Sequence, residues 1–113
     1  MTEPQPWLDW SVPNRRVDRP LDRGRPLRGC DLRHALLVLL LRRGTVTIDE
    51  ALAMLAAAGF EVHGRYPRKV VADAFGCEVV RRRARRIGRG RFALGSVPRS
   101  TAYRVRSRWD RAP

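Results

Sequence analysis

Apolar positions along this chain fall into helical stripes over its middle and C-terminal parts, with one pair of alternating arms between them. From Asp31 to Arg43 the spacing predicts a helix, with Asp31 near its N-terminus, Arg42 and Arg43 in its last turn and Gly44 just beyond. Leu32, Leu36, Leu39 and Leu40 make one stripe, but Leu37, Val38 and Leu41 fall elsewhere on the wheel. Such a helix is apolar nearly all round, so it is either central and buried or shares its second face with a partner.

Thr45-Val46 allows a strand fragment, and Thr47-Ile48-Asp49-Glu50 matches a capping box that opens a second helix to Ala58. Ile48, Leu52 and Leu55 form its stripe, Gly59 supplies a left-handed exit, and Phe60 folds back on the helix end. Pro67 starts a third helix reaching toward Val80, with Val71, Ala74 and Phe75 inward and Gly76 a point where it bends or ends. The alternation then changes to period two. Residues 81 to 95 read as a β-hairpin turning at Gly88-Arg89-Gly90, with Ile87, Phe92 and Leu94 on one face and Arg86, Arg89 and Arg91 on the other face or the tip. After it, Ser100 offers a cap for a helix that places Ala102, Val105 and Trp109 together; the alternative is a short strand from Ala102 to Val105 with a basic tail.

Residues 1–29 show no period and carry five of the eight prolines, which predicts a disordered or loosely attached tail. Trp7 and Trp10 are out of place there, because exposed tryptophans generally find something to cover them. The expected organisation of the 113 residues is therefore a tail (1–29), one small domain (30–95) and a basic C-terminal segment (96–113).

Charge sharpens this picture through its position. The net charge is +13, distributed as +2 over residues 1–29, zero over 30–80 and +11 over 81–113. Seven arginines lie among the eleven residues from Arg81 to Arg91, and 23 of the 24 basic residues are arginine, the side chain suited to bidentate phosphate and guanine contacts. A polyanion is the expected partner. If six to eight of these arginines each displaced a counterion, the salt slope would be about −5 to −7, ample for binding without base contacts.

Other chemistry is thin. Cys30, His34, His63 and Cys77 contain no close metal-ligand pair, so no metal and no cofactor is expected, and two distant cysteines without a signal peptide predict reduced thiols in a cytoplasm. No paired carboxylates or nucleophile with a base can be picked out, so an enzyme is the least favoured class. The apolar run Ala35 to Leu41 is seven residues, too short to span a bilayer, and no membrane partner is expected.

The order helix, strand fragment, capped helix, turn, helix and basic hairpin resembles the winged helix-turn-helix, in particular its small HARE-HTH and linker-histone-like variants. The residues that carry the resemblance are Gly44 to Ala51, leading into the second helix, and Ile87 to Leu94, the wing. It implies an α+β, mainly α fold and double-stranded DNA as ligand, with the third helix in the major groove and the wing on the backbone or an adjacent groove. By position, helix contacts would come from Arg65, Arg68, Lys69, Ala72 and Asp73, and wing contacts from Arg86, Arg89 and Arg91. Asp73 also reads as a surface partner of Lys69 at i,i+4. Arg81, Arg82 and Arg83 before the hairpin, and Arg99, Arg104, Arg106 and Arg108 after it, complete the expected nucleic-acid surface.

The function expected is a small transcriptional regulator or a nucleoid-associated architectural factor. Structured RNA or the ribosome is the alternative polyphosphate, and a protein-docking module is the third class. A homodimer through Leu37, Val38 and Leu41, or through the Trp7/Trp10 tail, is compatible with the pattern.

Overall fold

The computed structural model describes residues 19–113; Trp7 and Trp10 lie outside the described residues. Its elements are α1 (Gly29–Arg43), β1 (Thr45–Thr47), α2 (Ile48–Ala57), α3 (Pro67–Val80), β2 (Ala84–Gly88), β3 (Arg91–Leu94) and α4 (Arg99–Asp110). The described residues thus form a mainly helical α+β fold of four helices and a three-stranded antiparallel sheet ordered β1-β3-β2.

Helix α1 is the centre. Leu32 and every residue from His34 to Leu40 are buried, which requires cover on all sides. That cover comes from within the chain: α3, β1, β3 and α2 pack on α1, and so does α4. Leu37 and Val38 consequently have no surface left to offer a second copy, and only Leu41 is half-exposed. Gly44, at φ 81°, ends the helix with its N–H donated to the Leu40 carbonyl at 2.7 Å.

The capping box forms as expected, with Glu50 N–H donating to Thr47 Oγ1 at 3.0 Å and Thr47 N–H donating to Glu50 Oε1 at 2.9 Å. Hydrogen bonds to the Glu50 carboxyl from Thr47, its backbone N–H first and then its side chain, hold that carboxyl below its ordinary pKa. At the other end of α2, Gly59 adopts φ 86°, its N–H reaches the Ala56 carbonyl, and the Phe60 N–H reaches that of Leu55 at 2.9 Å, a Schellman closure. Phe60 is thereby turned into the core, its ring 5.0 Å from that of Trp109.

Three expectations need correcting. Residues 19–28 are not a tail: Leu21 and Leu27 are buried, and the Leu27 N–H donates to the Glu61 carbonyl at 2.7 Å while its own carbonyl accepts from His63 N–H. Gly76 does not interrupt α3, because Phe75 and Glu78 on either side of it are fully buried and hold the helix in register. Ser100 is not a cap: Pro98 occupies that position and α4 begins at Arg99, two residues earlier, so Ser100 falls within the first turn. The segment after Gly95 belongs to the same core, through Val105 and Trp109 on α4.

Candidate nucleic-acid interface

The basic hairpin grows out of the C-terminal end of α3, and its neck is built from backbone. Arg82, the single described non-glycine residue with positive φ (63°), reverses the chain after Val80. The Arg82 and Arg83 carbonyls then accept from Ser96 and Gly95 N–H groups at 2.8 Å each. This closure needs a glycine at position 95, since a Cβ there would stand 2.6 Å from the Arg82 carbonyl oxygen. Beneath the neck, fully buried Glu78 accepts a bidentate pair from Arg83, Nε at 2.5 Å and Nη2 at 2.8 Å. Arg83 is therefore the internal counterion of Glu78, not a ligand contact, and its place among the expected interface residues is corrected.

Register decides which hairpin arginines share a face. Val46 pairs with Phe92 and Phe92 with Arg86, while Thr45 pairs with Ala93 and Ala93 with Arg85. Phe92 turns inward and stacks on Phe75 at 4.4 Å between centroids, with ring planes 11° apart. Thr45, Arg85, Ala93 and Arg91 share the other face, with Ala93 itself buried and Arg85 and Arg91 exposed; Arg86 lies on the Phe92 side, exposed at the open edge of β2. Ile87, expected on the core face, is instead half-exposed, because the register shifts between Arg86 and Gly88 and leaves it unpaired in a bulge. Arg85 was not among the expected contacts. The signal for it is the pairing with Ala93, which the bulge hides from a simple count along the arm.

The electrostatics divide the surface in two. Arg81, Arg82, Arg85, Arg86, Arg89 and Arg91 are exposed, and among the described residues no carboxylate forms an ion pair with any of them. The exposed side of α3 differs. Arg68 is paired with Asp49 of α2, and Lys69 with Asp73 at 2.9 Å. Arg65 precedes α3 and lies over the exposed Tyr66 ring, and Ala72 is half-buried. The helix expected to read bases therefore carries self-neutralised charge.

Arg108 is in the interior at 1% exposure. Its guanidinium donates to the Arg19 carbonyl at 2.6 Å, to His34 Nδ1 at 2.8 Å and to Asp31 Oδ1 at 2.6 Å, joining α4, α1 and the segment ahead of α1. It cannot contact a ligand, which corrects a second expected residue. Burial first, then the nearby Arg108 charge, lower the His34 pKa to about 4. A neutral ring that accepts at Nδ1 must carry its proton on Nε2, which sits 3.3 Å from Cys30 Sγ. Because that Nε2–H points at the thiol and the other nitrogen is occupied, His34 has no lone pair with which to act as a base toward Cys30. Arg99, Arg104 and Arg106 are exposed on α4.

Among the described residues no helix is long and apolar enough to cross a membrane, and no group of three or more His, Cys, Asp or Glu is placed to hold a metal ion. The chain matches no protein-family model, no curated protein and no solved structure.

Proposed function

We propose that this chain is a winged-helix DNA-binding protein, a binding module and not an enzyme, which grips duplex DNA chiefly through its hairpin. In this reading β2 and β3 are the wing, α2 and α3 the helix-turn-helix, and α3 lies against the major groove. The observation that supports it most is the set of exposed arginines, Arg81, Arg82, Arg85, Arg86, Arg89 and Arg91, carried on a hydrogen-bonded neck and forming no ion pair with a carboxylate among the described residues. Guanidinium groups so arranged can span phosphates, and Arg89, between Gly88 and Gly90 at the tip, can enter a narrow minor groove.

The paired charges on α3 favour weak base discrimination over a stringent operator code, because each contact there must first displace an internal carboxylate. An architectural factor of the nucleoid fits this balance better than a highly selective regulator. Fluorescence anisotropy with a random-sequence duplex and with a structured RNA, from about 50 to 300 mM salt, tests it. Duplex preference with a steep salt slope is the expected result; preference for RNA would replace DNA by the other polyphosphate, and binding to neither would remove the proposal.

A further inference from the structure

Phosphate contacts leave one exposed hairpin side chain without a role. Among the described residues the exposed large apolar side chains are Tyr66, Val80, Ile87 and Tyr103, and only Ile87 stands inside the hairpin, at 51% exposure. A lone surface isoleucine would mean little, but the backbone holds this one out. Arg86 pairs with Phe92 and Gly88 with Arg91, so Ile87 is the extra residue of a bulge, a device that re-aims a side chain. It also lies on the accessible arm. Strand β3 is paired on both sides, to β1 and to β2, whereas β2 has β3 as its only neighbour in the sheet.

The surroundings suit insertion. Beyond the bulge the tip is narrow, because Gly88 and Gly90 flank Arg89 without side chains. The Ile48 N–H ties that tip down by donating to the Gly90 carbonyl at 3.0 Å. A β-branched side chain has little rotamer freedom to lose on entering a confined site. With the hairpin lying along a groove, residues 87 and 89 are separated by roughly 7 Å, close to two base steps of about 3.4 Å each. Arg89 in a narrow minor groove therefore brings Ile87 to a neighbouring base step, where an apolar wedge unstacks the bases and kinks the duplex.

Building on the DNA-binding reading, we infer that Ile87 is a wedge that kinks the bound duplex. The favoured target is an easily unstacked pyrimidine–purine step next to an A-tract whose narrow minor groove admits Arg89. The test uses a duplex with an A-tract beside a single central TpA step, the adenine of that step replaced by 2-aminopurine, which brightens on unstacking. A second duplex of the same sequence carries a fluorescence-transfer pair at its ends to report bending. Wild type is expected to brighten the 2-aminopurine and to bend the duplex by at least about 20°. Ile87→Ala should lose at least about half of both signals while keeping the salt slope of wild type, since no charge is removed. Ile87→Leu, which preserves an apolar wedge, should retain both signals.

Wild type that binds the duplex without both brightening and bending it would overturn the wedge and leave the DNA-binding reading standing. So would unchanged signals from Ile87→Ala, or a loss in Ile87→Leu as complete as that in Ile87→Ala. Failure of wild type to bind any duplex would overturn both.

Discussion

Arg108 and Arg83 show how residues of one type, indistinguishable by composition, take opposite roles. Both are arginines in a strongly basic third of the chain, yet their guanidiniums are inside, fixed by Asp31, His34 and the Arg19 carbonyl in one case and by Glu78 in the other. Buried charge is tolerated only with full pairing, so a lysine, which lacks the planar fork, cannot replace either. Arg108→Lys should cost at least about 2 kcal/mol in urea unfolding. Glu78→Ala should cost about 3–5 kcal/mol, because it leaves Arg83 unpaired at the neck. His34 adds a pH dependence. Its folded pKa is lowered from 6.5 to about 4, so the folded state binds fewer protons than the unfolded one. The His34 contribution is complete above about pH 6.5 and is lost as pH falls toward 4, amounting to about 3 kcal/mol. Chemical denaturation at pH 7, 5.5 and 4, with the imidazole followed by NMR, checks both sign and midpoint; a His34 titration near 6.5 would show that the ring is not held neutral by the core.

At the level of elements, much was legible because local signals coincide with packing. The Thr47–Glu50 box, the Gly59 exit with Phe60 behind it, Pro67 at the start of α3 and the Gly88-Arg89-Gly90 turn each mark a boundary by backbone chemistry that needs no tertiary partner. What was not legible depends on distant contacts. Leu21 and Leu27 sit among prolines and charges with no period, and only their hydrogen bonds to Arg108 and Glu61 reveal that they are core. The displacement of Ile87 and the alignment of Arg85 with Ala93 follow from a bulge that a pattern of alternating residues cannot report. The hairpin's rigidity makes a prediction of its own. Gly95→Ala would press a methyl group into the Arg82 carbonyl and should loosen the neck, visible as faster amide exchange at Gly95 and Ser96, with weaker DNA binding while α1 remains protected.

For the whole molecule, charge is concentrated in the C-terminal third, which carries +11 of the net +13. An Arg85/Arg89/Arg91→Ala change should weaken binding evenly across DNA sequences and flatten the salt slope by about 3, one counterion for each side chain removed. The same change at Arg83 would act through stability instead, and thermal melts separate the two. Truncation also distinguishes parts that composition lumps together. Removal of residues 1–28 should lower the melting temperature sharply, because Leu21, Leu27 and the Arg23 contacts to the Ala58 and Ala112 carbonyls go with it.

The burial of α1 on all sides also sets a timetable for synthesis. This helix is made early, but α4, which closes over it, is translated more than fifty residues later, and the Leu21 N–H waits for a carbonyl at Arg108. At about 5–20 residues per second the ribosome leaves a run of leucines partly uncovered for several seconds. The newborn chain is therefore sticky during the interval in which its arginines are also emerging, beside a particle made largely of RNA. Closure of α4 ends the exposure of the leucines, with Arg108 joining Asp31, His34 and the Arg19 carbonyl, and leaves the hairpin arginines outside.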